Sequence, residues 1–144
     1  MIQIRPMEEK DLDRVTQLEA ENFSTPWKKE DFREILTCDY AHFFVAEAEG
    51  IVVATCGLRN IVGEGEITNV VVSKEYREHK IGSKLLEKVL HHGDAWGIKE
   101  YTLEVRVSNE AAIKLYERFG FQSEGIRKNF YEKPLEDAMV MWKR

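Results

Sequence analysis

Residues 101–121, YTLEVRVSNEAAIKLYERFGF, hold a carboxylate at Glu104, a carboxamide at Asn109 and a phenol at Tyr116. These types and spacings suit proton transfer at the edge of a sheet. Glu104 stands in mid-strand among apolar neighbours, where carboxylates are uncommon unless paired or functional. It is either a cross-face partner of Arg106 or a general base. An α-ammonium of pKa ~7.7–8.0 must lose a proton before it attacks, and a placed carboxylate speeds such a step by about 10²–10⁴. Asn109, or Ser108 before it, either caps the following helix or contacts a ligand. Tyr116 lies on the inward side of that helix, as a core aromatic or as an acid for a leaving group.

A second stretch, residues 66–86, reads EITNVVVSKEYREHKIGSKLL. The run Val70-Val71-Val72 suggests a strand buried on both faces. Arg77-Glu78-His79-Lys80-Ile81-Gly82-Ser83 then opens a helix. The first amides of a helix lack internal partners and sit at the positive end of its dipole, where a pyrophosphate fits. Gly82 allows close backbone approach, and Arg77, Lys80 and Ser83 add donors. Neither a Walker lysine motif nor GxGxxG is present, so nucleotide hydrolysis and dinucleotide binding lose support. An ordinary strand–helix connection is the other reading of this turn.

The elements that must hold these groups follow from periodicity. Residues 2–4 alternate as a first strand, and 11–23 carry a helical stripe. Thr25 as cap and Pro26 at the first position predict a second helix to about residue 36. Two strands, 43–48 and 51–58, join at Glu49-Gly50 in a tight hairpin. A strand at 66–73, a helix at 81–96 ended by Gly97 and a strand at 101–107 make one βαβ unit. The last of these places Thr102, Glu104 and Arg106 on one face. A helix at 111–119, ended by Gly120, and strands at 121–130 and 138–142 complete a mixed α/β chain.

The 144 residues suffice for one domain with a core, residues 1–144, with no repeat or linker. A formal charge of −5 argues against a nucleic-acid coat and fits a basic partner or simple solubility. Absence of a long apolar run and a charged N-terminus predict no membrane span and no signal peptide. Cys38 and Cys56 read as free thiols in a cytoplasmic protein. His91 and His92, adjacent on a helix, do not face one another, His42 and His79 are isolated, and no ligand set is apparent, so no metal is expected.

The order LEVRxSNxxAxxLYxxxGF resembles the RimI-type branch of the GNAT N-acetyltransferases, enzymes acting on the N-terminal alanine of a small-subunit ribosomal protein. Phe23-Ser24-Thr25-Pro26-Trp27, residues 127–131 (RKNFY) and Glu136-Asp137-Ala138 are similar to the same branch. The resemblance implies a mixed, mostly antiparallel sheet of about seven strands with about four helices, splayed at the central parallel pair. It implies acetyl-CoA as cosubstrate, and a basic N-terminal peptide of a ribosomal protein as acceptor, with neither nucleic acid nor membrane bound directly. Glu104 becomes the base, Tyr116 the acid for the CoA thiolate and Asn109 a cofactor contact. Backbone amides of Val70 and Val72 align the pantetheine, with Trp27 and Tyr131 walling the peptide groove. The turn resembles the family's pyrophosphate loop, [Q/R]-x-x-G-x-[G/A], except that Lys80 stands where the first glycine is usual. If that position needs a positive φ, lysine costs roughly 1 kcal/mol. Two other functions stay open: acetylation of a small amine such as a polyamine or an antibiotic, and non-catalytic acyl-CoA binding.

Overall fold

The computed structural model describes residues 1–77 and 80–144. Glu78 and His79, both expected in the phosphate turn, lie outside the described residues. A seven-stranded sheet runs through the molecule in the order β1-β2-β3-β4-β5-β7-β6. Its strands are β1 (Ile2–Pro6), β2 (Ala41–Ala48), β3 (Ile51–Ile61), β4 (Glu64–Val72), β5 (Glu100–Arg106), β6 (Gln122–Tyr131) and β7 (Glu136–Lys143). Neighbouring strands are antiparallel except β4 and β5. Parallel neighbours need a crossover, and α3 (Ile81–Ala95) supplies it.

Side-chain alternation gives the sheet two cores. On one face α3 and α4 (Glu110–Arg118) cover Phe44, Leu58, Ile67, Leu103 and Val105. On the other, α1 (Leu12–Asn22) and α2 (Lys29–Ile35) cover Phe43, Val45 and Val71. The hairpin at Glu49-Gly50 has both residues at positive φ (52° and 81°), the geometry that matches the twist of the flanking strands. Arg5 of β1 donates to both carboxylate oxygens of buried Asp11 at 2.7 and 2.9 Å, fixing the entry to α1.

Two expectations change. The second helix starts at Lys29, not at Thr25-Pro26. Asp31 takes the backbone N–H of Lys28 at 2.8 Å, and the Trp27 N–H donates to Glu19 at 3.3 Å, so residues 24–28 are held in a loop. Burial of the valine run on both faces is also incomplete: Val71 is buried but Val70 and Val72 are half-exposed. The reason is that β4 and β5 pair only at Glu64–Glu100, Gly65–Tyr101 and Glu66–Thr102, then part.

The crossover packs closely because Gly93 has no side chain. A Cβ there would strike the Tyr101 hydroxyl and come within 2.8 Å of its ring. Tyr101 is held in place by donating to the Leu90 carbonyl (3.0 Å) and Asp94 (2.8 Å). Gly93→Ala should therefore cost about 1–3 kcal/mol from overpacking, although alanine is the better helix former by ~1 kcal/mol. Tyr101→Phe in the same chain should restore part of the loss; urea unfolding of the two single variants and the double variant measures the coupling.

Candidate active site

The parting of β4 from β5 sets the geometry. Beyond Glu66 the β5-facing backbone groups of β4 have no strand partner among the described residues. A bulge lies at the same place: Gly57 pairs with Thr68 and Thr55 with Val71, and Asn69 takes φ 52°. The bulge reverses the alternation, so Val70 and Val72 pack toward the α3 core while Val71 joins the α1–α2 core.

Glu104 and Tyr116 lie on opposite faces of the sheet. Leu103 and Val105 belong to the α3–α4 core, so Glu104 between them points to the α1–α2 face. Tyr116, 6% exposed, belongs to the α3–α4 core and lies against Phe121 with ring centroids 5.9 Å apart. Extending the parallel register from Glu66–Thr102 sets Thr68 opposite Glu104 across the opening.

The carboxylate's partner is not Arg106. Arg106 binds Glu136 (3.1 Å) and lies 4.4 Å over the Tyr131 ring. Glu104 instead meets Arg127 of β6, Nε to Oε2 2.8 Å. Burial pushes the Glu104 carboxyl up from its ordinary range; Arg127 opposes this and Glu66 adds to it. Burial also pushes the Tyr116 phenol well above its ordinary range, reinforced by Cys56 and Tyr131. At neutral pH Tyr116 keeps its proton, as a donor must.

At the other end of the gap, Lys80 is the cap of α3 with φ 59° and ψ 22°. Lys80 is thus in the left-handed region, which costs a non-glycine residue roughly 1 kcal/mol. The first internal bond of α3 is Lys84 N–H to Lys80 C=O, 3.2 Å, leaving the amides of Ile81, Gly82 and Ser83 without helical acceptors. Ile81 is fully buried. Gly82 packs against α4: a Cβ there would come within 3.2 Å of the Leu115 side chain, which would have to shift slightly. The Arg77 side chain donates to Val72 C=O (3.2 Å) and Asn22 (2.6 Å), tying the end of β4 to α1. The Asn109 side chain accepts from Ala112 N–H at 3.2 Å, so it caps α4.

Trp27 sits 5.1 Å from Phe32 and 5.6 Å from Phe43. It also lines a cleft of about 510 Å³ with Asp31, Glu34, Tyr40 and Arg59. Tyr131 is half-buried, its phenol pushed up to about 12 chiefly by burial, with Glu104 adding to the effect. Ser24 donates to the Glu132 carbonyl at 2.7 Å, so the loop carrying Trp27 meets the hairpin carrying Tyr131.

Sequence reading missed Glu19, only 2% exposed. Its Oε2 accepts from Asn69 Nδ2 (3.1 Å) and Trp27 N–H (3.3 Å), and its Oε1 is buried without a partner among the described residues. One carboxylate thus joins α1, the α1–α2 loop and the β4 bulge. Helical spacing placed residue 19 beside Leu18, but nothing local marks a buried acid. His42 is not isolated: Nδ1 lies 2.8 Å from His92 Nε2 and the ring stacks on Trp96 at 3.8 Å. Among the described residues no group of three or more His, Cys, Asp or Glu could hold a metal, and no helix is long and apolar enough to cross a membrane.

The sheet opens at its parallel pair, β4 and β5, and α3 begins with amides that have no helical acceptors. Residues 12–121 match the acetyltransferase (GNAT) family, and the chain belongs to that family. Its members draw acetyl from acetyl-CoA. The chain is 39% identical over 140 residues to the putative ribosomal protein bS18-alanine N-acetyltransferase of Bacillus subtilis, covering 96% of this chain and 93% of the relative. It is 34% identical over 137 residues to the N-alpha-acetyltransferase RimI of Mycobacterium tuberculosis, covering 91% and 85%. The crystal structure of the ribosomal-protein-S18-alanine N-acetyltransferase from Escherichia coli superposes with a TM-score of 0.90 at 30% identity, covering 99% of this chain and 93% of that one.

Lys80→Gly should keep the fold, with stability unchanged or raised by up to about 1 kcal/mol as left-handed strain is relieved. Loss of the cation should weaken acetyl-CoA binding roughly threefold to tenfold at low salt and less at high salt. Calorimetry at two ionic strengths measures both.

Proposed function

We propose that this chain, one domain over residues 1–144, transfers acetyl directly from acetyl-CoA to the N-terminal alanine amine of a small-subunit ribosomal protein in the cytoplasm. The observation that carries the acceptor assignment is the near-full-length match to relatives bearing that activity in their names. The chemistry is supported by two groups of suitable proton affinity on opposite faces of the sheet.

Acetyl-CoA enters between β4 and β5, its pyrophosphate on the first amides of α3 beside Arg77, Lys80 and Ser83, with Asn109 near the pantetheine. Amides of Val70 and Val72 align that arm and polarise the thioester carbonyl, a contribution of ~3–4 kcal/mol per oxyanion donor. Glu104 takes one proton from the acceptor ammonium and passes it to solvent. The freed nitrogen attacks the carbonyl carbon, a C–N bond forms and the C–S bond breaks. Tyr116 protonates the departing sulfur, and the second proton from nitrogen restores the phenol. Each turnover yields one amide, one thiol and one released proton.

Trp27 and Tyr131 wall the peptide groove; the cleft beside Trp27 carries two carboxylates, Asp31 and Glu34, against one cation, Arg59. A small-amine acceptor remains the competing reading. A basic peptide beginning with alanine should be acetylated, the same peptide with a blocked N-terminus should not, and polyamines should be poor substrates. Activity on polyamines alone overturns the assignment. Glu104→Gln and Tyr116→Phe should each lower kcat by about 10²–10⁴ with acetyl-CoA affinity nearly intact; near-wild-type turnover in both removes the assigned roles.

A further inference from the structure

Glu104 has an unusual environment for a carboxylate that must receive an ammonium. Its Oε2 is closed to solvent and receives no aligned hydrogen bond among the described residues. The Arg127 Nε lies 2.8 Å away, a cation at contact distance whose N–H is not directed to donate. Arg127 is itself 62% exposed, against 28% for Glu104. An ion pair with one partner so hydrated is worth little, about fivefold or less in an equilibrium constant. Arg127 also sits on an irregular piece of strand. Register with β7 shifts between Arg127 and Tyr131, and Asn129 takes φ 53°. Its other neighbour is the Phe130 ring, 5.7 Å from the guanidinium carbon, a second resting place for a planar cation.

Resting on the proposal that Glu104 is the base, we infer that Arg127 is an intramolecular stand-in for the acceptor's ammonium. It covers the carboxylate in the free enzyme and is displaced when the acceptor binds. The exchange is of like for like. A guanidinium leaves Oε2 for water, an ammonium takes its place, and the charge on Glu104 stays balanced until the proton moves. An uncharged amine gains no such exchange, so the latch favours acceptors that arrive protonated.

The charged and titratable groups around Glu104 are Glu66 on β4, Arg127 and Tyr131 on β6, with Arg106 and Glu136 beyond Tyr131. Arg127 lowers the proton affinity of Glu104 and Glu66 raises it. Arg127→Gln should therefore move the acid limb of the kcat/KM profile to higher pH, and Glu66→Gln should move it to lower pH. That profile reports the free enzyme and the kcat profile reports the complex. If the acceptor has already displaced Arg127, the acid limb of kcat stays where it is in Arg127→Gln.

The test is steady-state acetylation of an alanine-initial basic peptide from pH 6 to 9 (on the order of the α-amine pKa), with Arg127→Gln, Arg127→Lys and Glu66→Gln. The expected result is a KM for peptide lowered roughly twofold to fivefold in Arg127→Gln, near-wild-type KM in Arg127→Lys, and a shifted limb in kcat/KM only. A raised peptide KM, or kcat and kcat/KM limbs that move together, overturns the displacement. Residual turnover in Glu104→Gln separates the two proposals. If Arg127→Gln still lowers KM in that background, the effect does not run through Glu104 and the latch fails. Near-wild-type turnover of Glu104→Gln alone instead removes the base assignment.

Discussion

Three residue pairs decide what this sheet can do. β4 and β5 hold together only from Glu64 to Glu66 against Glu100 to Thr102. A parallel ladder that stops after three pairs leaves backbone donors and acceptors on both strands without partners, at a depth where such groups are costly to leave unmade. The fold must separate the strands there and must also keep them from closing again. The β4 bulge at Asn69 keeps one side open. On the other side, β5 is held at its far edge by pairing from Tyr101 to Arg106 with β7, which fixes its course while its β4-facing groups beyond Thr102 have no strand partner among the described residues. Glu19 stabilises the bulge from beneath through Asn69. Its carboxyl is pushed up by burial, offset only in part by its two donors.

The elements that could be read from the sequence are those fixed by local chemistry. The Glu49-Gly50 turn, the Gly97 and Gly120 helix ends and the amphipathic stripe of α3 lie within a few residues of the groups that determine them. The strand–helix–strand order around the gap was legible for the same reason. What failed depended on register across the sheet. Glu104 and Arg106 share a face, and a pairing between them is the natural guess from spacing. The β7 strand intervenes instead: Glu136 reaches Arg106, and β6 brings Arg127 to Glu104. No local pattern announces that residues 104 and 127 meet. The start of α2 misled for a related reason. Thr25 and Pro26 are good helix-opening residues, but Ser24 is bound to Glu132, 108 residues on, and the Trp27 N–H to the buried Glu19 of α1.

Lys80 shows how a departure from a family pattern becomes interpretable once backbone geometry is known. Glycine at that position supplies the left-handed conformation without strain. Lysine adopts that conformation here, at φ 59°. A lysine there gives up backbone ease and adds a positive charge at the start of a helix whose first amides have no helical acceptors, a trade that would suit the proposed pyrophosphate ligand.

The placement of Glu104 and Tyr116 on opposite sides of β5 bears on the order of events. A single carboxylate and phenol on one face would compete for one proton. Separated by the strand, they would act on different steps in the proposed reaction, Glu104 on the incoming ammonium from the α1–α2 side and Tyr116 on the departing sulfur from the α3–α4 side. A covalent route would need a nucleophile in the gap. Cys56 is buried and its thiol is pushed up to about 12 by that burial, so it remains a thiol at neutral pH and is a poor attacking group. Direct transfer needs only that the amine and the thioester meet between the two strands, with a base ahead of the nitrogen and an acid behind the sulfur.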